Sequence, residues 1–185
     1  MSLTPDRSSH DEANGIEHIN GLFSYAMVLA RNRSDAEDLV QETYVRAIGA
    51  MGRLRRDSNV RGWLFTILRN IWLNQLRERR ATPPMVDTPV EQIAVESKEA
   101  GDDPHSLFVG MIERQQVHSA IQQLSLDFRE IILLREFEEL SYQEIATILD
   151  CPAGTVMSRL ARARSKLRTL LSATLVNSES EMKGN

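Results

Sequence analysis

Cysteine is nearly absent from the sequence, which has one, Cys151, among 185 residues. A single cysteine cannot form an internal disulfide, and it excludes a zinc site built from several cysteines. We expect Cys151 to pack as a small buried residue. The four histidines are scattered without the spacing of metal ligands. We therefore predict neither a metal site nor a cofactor.

Long hydrophobic runs are missing as well. The longest strictly aliphatic run, Ile131 to Leu134, is far too short to span a bilayer, and the N-terminus has no basic segment followed by an apolar one. A hydrophobic content of 42% and a charged content of 26% are those of a soluble globular protein. We therefore expect a cytoplasmic protein without membrane insertion.

Alternation of apolar and polar residues with a period of two is almost absent, whereas apolar residues recur at helical spacing along most of the chain. This pattern predicts an all-α fold. At 185 residues the chain is long enough for two small helical domains. We expect a disordered N-terminal tail, a first domain, an acidic flexible linker, a second domain and a C-terminal tail, at residues 1–14, 15–80, 81–106, 107–172 and 173–185.

Three helices are predicted in the first domain, from about Ile16 to Arg31, Asp35 to Ala50 and Val60 to Arg79. Ser34 and Glu37 form the pattern of a capping box in front of the second helix. The third helix has apolar residues around most of its circumference, which indicates a central position in a bundle or a partner that covers it. The predicted inner positions of the first two helices are Ile16, Ile19, Phe23, Met27, Ala30, Ala36, Leu39, Val40, Thr43 and Ala47.

Charge is distributed unevenly along this chain, whose formal net charge is -4. Residues 81 to 113 hold seven acidic residues and one lysine, and residues 81 to 106 hold four of the six prolines, which indicates a linker. From Arg53 to Arg80, by contrast, there are eight arginines and two acids. The acidic total therefore hides a strongly basic stretch in the first domain.

This basic stretch combines a loop with a helix that carries aromatic residues. Such a surface suits single-stranded DNA, because arginines hold the backbone while unstacked bases lie against the protein. The loop arginines are the better candidates for this contact. Trp63 and Trp72 are more often core residues than platforms for bases, since aromatic residues at helical spacing usually pack inside.

In the second domain, helices are predicted near residues 107–122 and 126–138, followed by a short helix that opens at Ser141 and another that begins near Pro152. Residues 141–144 form a capping-box pattern, and a proline suits the first turn of a helix. Two helices joined by a turn of about three or four residues, the second one basic, are typical of a helix-turn-helix.

The second helix of this motif has five basic residues and no acid between Pro152 and Arg168. Phosphates and guanine edges are the natural complement of its basic side, although a charged face exposed to solvent is the ordinary alternative. The positions expected to pack inside are Val156, Leu160, Ala163 and Leu167. The positions roughly opposite are Thr155, Ser158, Arg159, Arg162 and Lys166.

The predicted outer face of the helix from Asp35 presents Asp38, Gln41, Glu42 and Val45. A solvated face is the plain alternative, and a pair of carboxylates also suits a metal or an acid–base site. No third ligand supports catalysis. An exposed valine among acids suits docking onto a basic protein surface instead.

Several of these stretches resemble extracytoplasmic-function (ECF) sigma factors of bacterial RNA polymerase, in the order and at the spacing of that family. They are DAEDLVQETYVRA at 35–47, RGWLFTILRN at 61–70, SYQEIA at 141–146, GTV at 154–156 and SRL at 158–160. The resemblance covers about Ile16 to Leu171. It implies a two-domain transcription initiation factor that is not an enzyme and that, like most relatives, is controlled by an anti-sigma factor.

The resemblance also implies where each partner binds. The helix from Asp35 would dock on the clamp helices of the largest polymerase subunit, through Asp35, Asp38, Gln41, Glu42 and Val45. The loop at 52–59 and the helix after it would open the minus-ten element and hold it melted, through Arg53, Arg55, Arg56, Asn59, Arg61, Arg69, Asn70 and Arg77. The second domain would read the double-stranded minus-thirty-five element through Thr155, Ser158, Arg159, Arg162 and Lys166, and would contact the flap of the other large subunit.

Two positions depart from the family pattern. Met157 stands where a basic residue is common, so one phosphate contact is expected to be missing. Ser125 stands where a proline is common, and we expect it to cap the following helix. A stand-alone helix-turn-helix regulator is the alternative reading, and a nuclease is a more distant one. The face with Asp38 and Glu42 discriminates between them, because a simple repressor has no polymerase to bind.

Overall fold

The structure is a computed structural model that describes residues 17–54, 58–81 and 115–182, with side chains described for 17–54, 58–80 and 115–173. The expected N-terminal tail, the expected linker apart from Ala81, and residues 107–114 of the helix predicted at 107–122 lie outside these ranges. The regular elements in these ranges are α-helices with one short 3-10 turn and one short π-helical turn, and no strand occurs there. The predicted all-α fold is therefore confirmed. The helices are α1 Ile19–Ala30, α2 Arg33–Ala50, α3 Val60–Ala81, α4 115–122, α5 Leu126–Ile132, α6 Tyr142–Leu149 and α7 Ala153–Met182.

Helices α1 to α3 form the N-terminal bundle, and α4 to α7 form the C-terminal bundle. A 3-10 turn, Met51–Arg53, follows α2, and a π-helical turn, Leu133–Phe137, follows α5. Helix α7 continues through residues 173–182, which the sequence analysis assigned to a tail.

Helix α1 follows its predicted inner stripe only in part. Met27 is buried, and Phe23 and Ala30 are partly buried and pack against the core, whereas Ile19 is 43% exposed; Ile16 lies outside the described residues. The prediction was wrong at Ile19, and it missed several buried positions because α1 contacts α2, α3 and α5, so its inner surface is set by both bundles. The residues buried on α1 are Leu22, Tyr25, Ala26, Met27 and Leu29.

Tyr25 is fully buried, and its ring lies against Phe65 of α3 with the ring centroids 5.5 Å apart. A buried tyrosine needs a partner for its hydroxyl. Here the hydroxyl donates to Glu130 of α5 at 2.7 Å. Burial and the Glu130 carboxylate raise the pKa of Tyr25 well above its usual value. The phenol therefore keeps its proton and remains a donor.

Helix α2 begins two residues earlier than predicted and uses a different cap. Arg31 ends α1 in the left-handed region with φ 62, and the chain then extends at Asn32. The Asn32 side chain accepts a hydrogen bond from the Asp35 amide at 2.8 Å. The predicted capping box at Ser34 is therefore wrong, because the tight turn places Asn32 at the cap. The predicted inner stripe of α2 is confirmed, with Ala36, Leu39, Val40, Thr43 and Ala47 all buried.

Helix α3 is central, as its distribution of apolar residues predicts. It contacts α1 and α2 in its own bundle and α6 in the other. Trp63 and Trp72 are partly buried and pack against the core, in line with their interpretation as core residues. The residues of α3 that are fully inside are Leu64, Phe65, Leu68 and Ile71.

The C-terminal bundle departs from the prediction around α5. The predicted helix to residue 138 ends as α-helix at Ile132 and continues as the π-helical turn, in which the Glu138 amide donates to the Leu133 carbonyl at 3.0 Å. Ser125 occupies the N-cap of α5, but its hydroxyl makes no capping hydrogen bond, so the predicted cap is wrong. Glu138 follows this turn and pairs with Arg61 of the N-terminal bundle.

The helix-turn-helix is formed by α6 and α7. Ser141 caps α6 with both bonds of the predicted capping box: the Glu144 amide donates to its hydroxyl at 3.2 Å, and its own amide donates to the Glu144 carboxylate at 2.6 Å. Asp150 ends α6 in the left-handed region with φ 50. Helix α7 then begins at Ala153, one residue after Pro152, whose carbonyl accepts from the Thr155 amide at 2.8 Å.

Ser141→Ala is expected to lower the free energy of unfolding by about 1 kcal/mol, because the substitution removes the hydroxyl that accepts the amide hydrogen bond at the start of α6. Urea denaturation followed by circular dichroism measures this change. Ser125→Ala, at a cap position without a hydroxyl bond, is the matched control and should change stability far less. Equal losses for the two variants would contradict the role given to the Ser141 hydroxyl.

The two bundles pack against each other and share one continuous core. Helix α3 contacts α6, and α1 contacts α5. Two ion pairs cross between the bundles, from Arg69 to Glu130 at 3.1 Å and from Arg61 to Glu138 at 2.5 Å. We call this contact the junction; it consists of α1 and α3 on one side and α5, the π-helical turn and α6 on the other.

Candidate functional site

The outer face of α2 borders a groove between α2 and α3. Asp38, Gln41 and Val45 are exposed, Val45 by 66%, while Glu42 pairs with Arg46 at 2.7 Å. Asn74, Gln75 and Glu78 of α3 line the opposite wall. The face combines carboxylates with an apolar side chain that no described residue covers. It can therefore dock a basic surface that also has apolar groups.

One residue of this face was missed by the sequence analysis. Ile48, three positions after Val45, is 69% exposed. Residues three positions apart lie on the same side of a helix, so the exposure of Ile48 could have been predicted from its spacing to Val45. The apolar part of the outer face therefore extends toward the end of α2.

Asp35 lies at the other end of α2, half buried, and is bonded within its own bundle. Its carboxylate accepts a hydrogen bond from Arg79 of α3 at 3.0 Å. Burial alone would raise the pKa of Asp35, but the hydrogen bonds from Asn32 and Arg79 outweigh it and lower the pKa. Asp35 thus ties α2 to α3 in this structure, in contrast to the exposed Asp38.

The basic surface predicted around the start of α3 is only partly free. Arg53 and Asn70 are exposed, and the exposed Arg77 donates to Asn74 at 2.9 Å. Arg55 and Arg56 lie outside the described residues. The remaining three candidates are Asn59, Arg61 and Arg69, and all of them are at the junction.

Asn59 caps α3 and reaches the other bundle with the same side chain. Its Oδ1 accepts from the Gly62 amide at 3.0 Å, while its Nδ2 donates to Glu144 of α6. A Cβ at Gly62 would lie 2.8 Å from that Nδ2, so glycine leaves room for the cap. Hydrogen bonds from Ser141 lower the pKa of Glu144, and Asn59 and Arg61 contribute in the same direction, so Glu144 is held ionised beside this surface.

The basic face of α7 is open. Ser158, Arg162 and Lys166 are exposed, and Thr155 and Arg159 are half buried. The Arg162 guanidinium donates to the Ser158 carbonyl at 3.3 Å, whereas Arg159 has no hydrogen-bond partner among the described residues. The apolar stripe predicted on the opposite side is confirmed, with Val156, Leu160 and Ala163 buried and Leu167 partly buried against the core.

Two matches to known families cover most of this architecture. Residues 16–82 match the family described as Sigma-70 region 2, and residues 114–167 match Sigma-70, region 4. The RNA polymerase sigma-H factor of Pseudomonas aeruginosa is 39% identical over 145 residues, which are 76% of this chain and 75% of that protein. The chain belongs to the extracytoplasmic-function group of the sigma-70 family. It is a transcription initiation factor.

Further comparisons agree with this assignment. The ECF RNA polymerase sigma-E factor of Escherichia coli K12 is 40% identical to this sigma factor over 139 residues, 72% of each chain. The sigma factor RpoE in complex with the anti-sigma factor NepR from Bartonella quintana superimposes with a TM-score of 0.69, at 30% identity, over 88% of this chain and 97% of that one. CnrH in complex with the cytosolic domain of CnrY gives a TM-score of 0.60 at 26% identity, over 91% of each chain.

Acidic, histidine and cysteine side chains do not gather into a possible metal site anywhere in the described part of the sigma factor. Cys151, expected to be buried, is partly exposed and packs against the core at the turn between α6 and α7. Among the described helices, none is both long and apolar enough to cross a bilayer.

Proposed function

We propose that this sigma factor binds core RNA polymerase through the outer face of α2, opens the minus-ten element with the basic surface around α3, and reads the minus-thirty-five element with α7. In this proposal the chain divides at 15–80 and 107–172, with 81–106 as the linker, and acts in the cytoplasm, where RNA polymerase works. The observation that carries the proposal is that no described residue covers the outer face of α2 or the basic face of α7, and that the two faces differ in chemistry.

The polymerase contact is assigned to the side chains that border the groove and to Asp35 at its end. Carboxylates beside exposed valine and isoleucine suit a basic helix pair with apolar positions, which is the chemistry expected of the clamp helices of the largest subunit. The residues are Asp35, Asp38, Gln41, Glu42 and Val45, and we include the exposed Ile48 in the proposed contact. The flap of the other large subunit is the expected partner of the C-terminal bundle.

The DNA contacts are assigned to two surfaces with different tasks. On α7, Arg159 and Arg162 can reach guanine edges while Ser158, Thr155 and Lys166 position the phosphates. Around α3, arginine and asparagine side chains can hold the melted strand, and the energy of unstacking is offset by these contacts and by the polymerase. The residues of this second surface are Arg53, Arg55, Arg56, Asn59, Arg61, Arg69, Asn70 and Arg77.

An anti-sigma factor is the expected regulator. Support comes from the similarity to RpoE, whose solved structure contains the anti-sigma factor NepR. A regulator that covers the outer face of α2 would block the polymerase and leave the fold unchanged.

Capture of core RNA polymerase by the tagged protein, followed by transcription from a promoter library, tests the proposed function. We expect the protein to be retained on the core enzyme and to select a defined set of start sites. A protein that binds promoter duplex alone and leaves start-site choice unchanged would instead be a stand-alone regulator.

Met157→Lys is expected to raise the affinity of the holoenzyme for its promoter about threefold to tenfold. The slope of the logarithm of affinity against the logarithm of salt concentration should become steeper by about one. Met157 is 51% exposed on α7, next to Ser158, so a lysine there can reach a phosphate without disturbing the core. Met157→Gln is the control of similar length without charge. Equal affinities for the lysine and glutamine variants at low salt would show that position 157 does not face a phosphate.

A further inference from the structure

A buried arginine of α5, Arg129, has incomplete hydrogen bonding. It is 4% exposed, and its Nη1 donates to the side chain of Gln122 in α4 at 3.1 Å. Its Nε–H meets no acceptor, and no other buried side-chain nitrogen or oxygen in the described part of the chain lacks a partner. The other buried polar residues there, Thr43 and Glu130, are both hydrogen-bonded. Arg129 therefore stands apart from the rest of the interior.

The charge of Arg129 is not neutralised by an ion pair with any described residue. A guanidinium group keeps its charge at physiological pH, and a buried charge without an anionic partner is costly. The carboxylate next to it in the sequence, Glu130, accepts from Tyr25 at 2.7 Å and from Arg69 at 3.1 Å. That carboxylate is therefore committed to other donors.

A second guanidinium group, that of Arg31, acts on the same place. Arg31 is the residue that ends α1, a helix that contacts α5. Its side chain is exposed and has neither a hydrogen bond nor an ion pair among the described residues. Burial and the positive charge of Arg31 both lower the pKa of Arg129. The two groups repel each other, and an anion bound by both would turn this repulsion into attraction.

We propose that Arg31 and Arg129 together bind the phosphate group of a small ligand, either inorganic phosphate or a small phosphomonoester. Two guanidinium groups offer two positive charges and several N–H donors, which match a phosphate group with about 1.5 to 2 negative charges at pH 7. Arg129 is the inner donor and Arg31 the outer one. The phosphate of a duplex cannot reach a residue that is 4% exposed, so the site takes a small molecule rather than DNA. Neither arginine belongs to the surfaces assigned to polymerase or promoter.

Arg31→Gln in the full-length protein tests the site, because it removes one of the two charges at an exposed position where the fold should tolerate it. Arg33→Gln is the matched control: Arg33 is two residues later, is exposed and pairs with Glu37 at 2.7 Å. Both variants lose one positive charge, so a general attraction of phosphate to the protein falls equally in each. Arg31→Lys restores the charge without the planar fork of donors.

The nuclear magnetic resonance signal of the Arg129 Nε–H reports binding at the atom itself, and the melting temperature reports stabilisation of the folded protein by a ligand. Each protein is titrated with sodium phosphate and, at equal ionic strength, with sodium chloride. We expect phosphate to shift the signal to saturation and to raise the melting temperature, and chloride to do neither. Arg31→Gln should weaken phosphate binding by about tenfold, because charge-assisted hydrogen bonds are lost. Arg33→Gln should leave the affinity unchanged, and Arg31→Lys should lie between them.

A nucleoside monophosphate and the nucleoside without phosphate distinguish the two sources of the phosphate group. Tighter binding of the monophosphate than of inorganic phosphate identifies a phosphorylated metabolite as the ligand, and equal or weaker binding identifies free phosphate. The proposal is overturned if phosphate moves the Arg129 signal no more than chloride does, or if Arg31→Gln and Arg33→Gln bind phosphate equally. Binding of the nucleoside as tightly as the monophosphate would also overturn it, because the phosphate group would then not be recognised.

Discussion

Asp38→Lys is expected to weaken the binding of core RNA polymerase by about 100-fold, because reversing one charge in a complementary interface costs several kcal/mol. Asp38 is exposed at the edge of the groove between α2 and α3 and has no ion pair among the described residues. Its replacement therefore leaves the bundle intact. Titration of labelled protein with core enzyme measures the change, and circular dichroism verifies that the helix content is unchanged.

The matched control for this variant is Glu37→Lys, one residue earlier on α2. Glu37 is exposed and pairs with Arg33 at 2.7 Å, away from the groove. An exposed pair of this kind contributes about 0.3–0.5 kcal/mol to the helix. The control should bind core enzyme within a few-fold of wild type. Loss of binding in both variants, or in neither, would remove the assignment of the outer face to the polymerase.

The double substitution Arg159→Ala and Arg162→Ala is expected to lower the affinity of the holoenzyme for a promoter selected by wild type by about 100-fold, at about 1–3 kcal/mol for each lost base contact. Arg162 is exposed on α7, and Arg159 is half buried at the edge of the stripe formed by the buried Val156, Leu160 and Ala163. Binding to duplex that carries the upstream element is measured at several salt concentrations. Discrimination between this element and altered sequences should fall together with the affinity.

Arg164→Ala is the control on the same helix. The Arg164 guanidinium points back to Glu136 in the π-helical turn, at 2.6 Å. Removing it deletes one positive charge, against two in the double variant, and leaves the outward face unchanged. We expect less than a tenfold loss and unchanged discrimination. If this variant lost sequence discrimination as fully as the double variant, charge alone rather than direct base contact would explain the effect.

The helix-turn-helix could be predicted almost completely from the sequence because its determinants are local. The capping box needs only Ser141 and Glu144, three residues apart, and the buried stripe of α7 follows from the helical period. Pro152 marked the turn to within one residue. None of these signals depends on what the distant part of the chain does.

The predictions that were wrong concern residues whose environment is set by distant contacts. The inner side of α1 includes Tyr25, which appears polar in the sequence but is buried with its hydroxyl donating a hydrogen bond to Glu130, far along the chain. The cap of α2 is Asn32 rather than Ser34 because of the left-handed turn at Arg31. The hydrophobic periodicity of a single helix indicates neither the contact between Tyr25 and Glu130 nor the turn at Arg31.

The candidate surfaces likewise include some that the sequence predicts and one that it does not. The outward faces of α2 and α7 follow from helical spacing, so Asp38, Val45 and Arg162 are exposed as the sequence predicts. The junction could not be derived, because the pairing of Arg61 and Arg69 with glutamates requires knowledge of how the bundles meet. The one indication in the sequence was Glu130, an acidic residue next to an apolar run, which suggests a buried carboxylate that needs a partner.

The two oxygens of Glu144 have separate partners: one accepts from the Ser141 amide at the start of α6, and the other accepts from Asn59 of the opposite bundle. Parting of the bundles breaks only the second of these bonds. The capping of α6 in the helix-turn-helix therefore does not depend on the contact between the two bundles. A substitution at Glu144, in contrast, would disturb both the start of α6 and the junction.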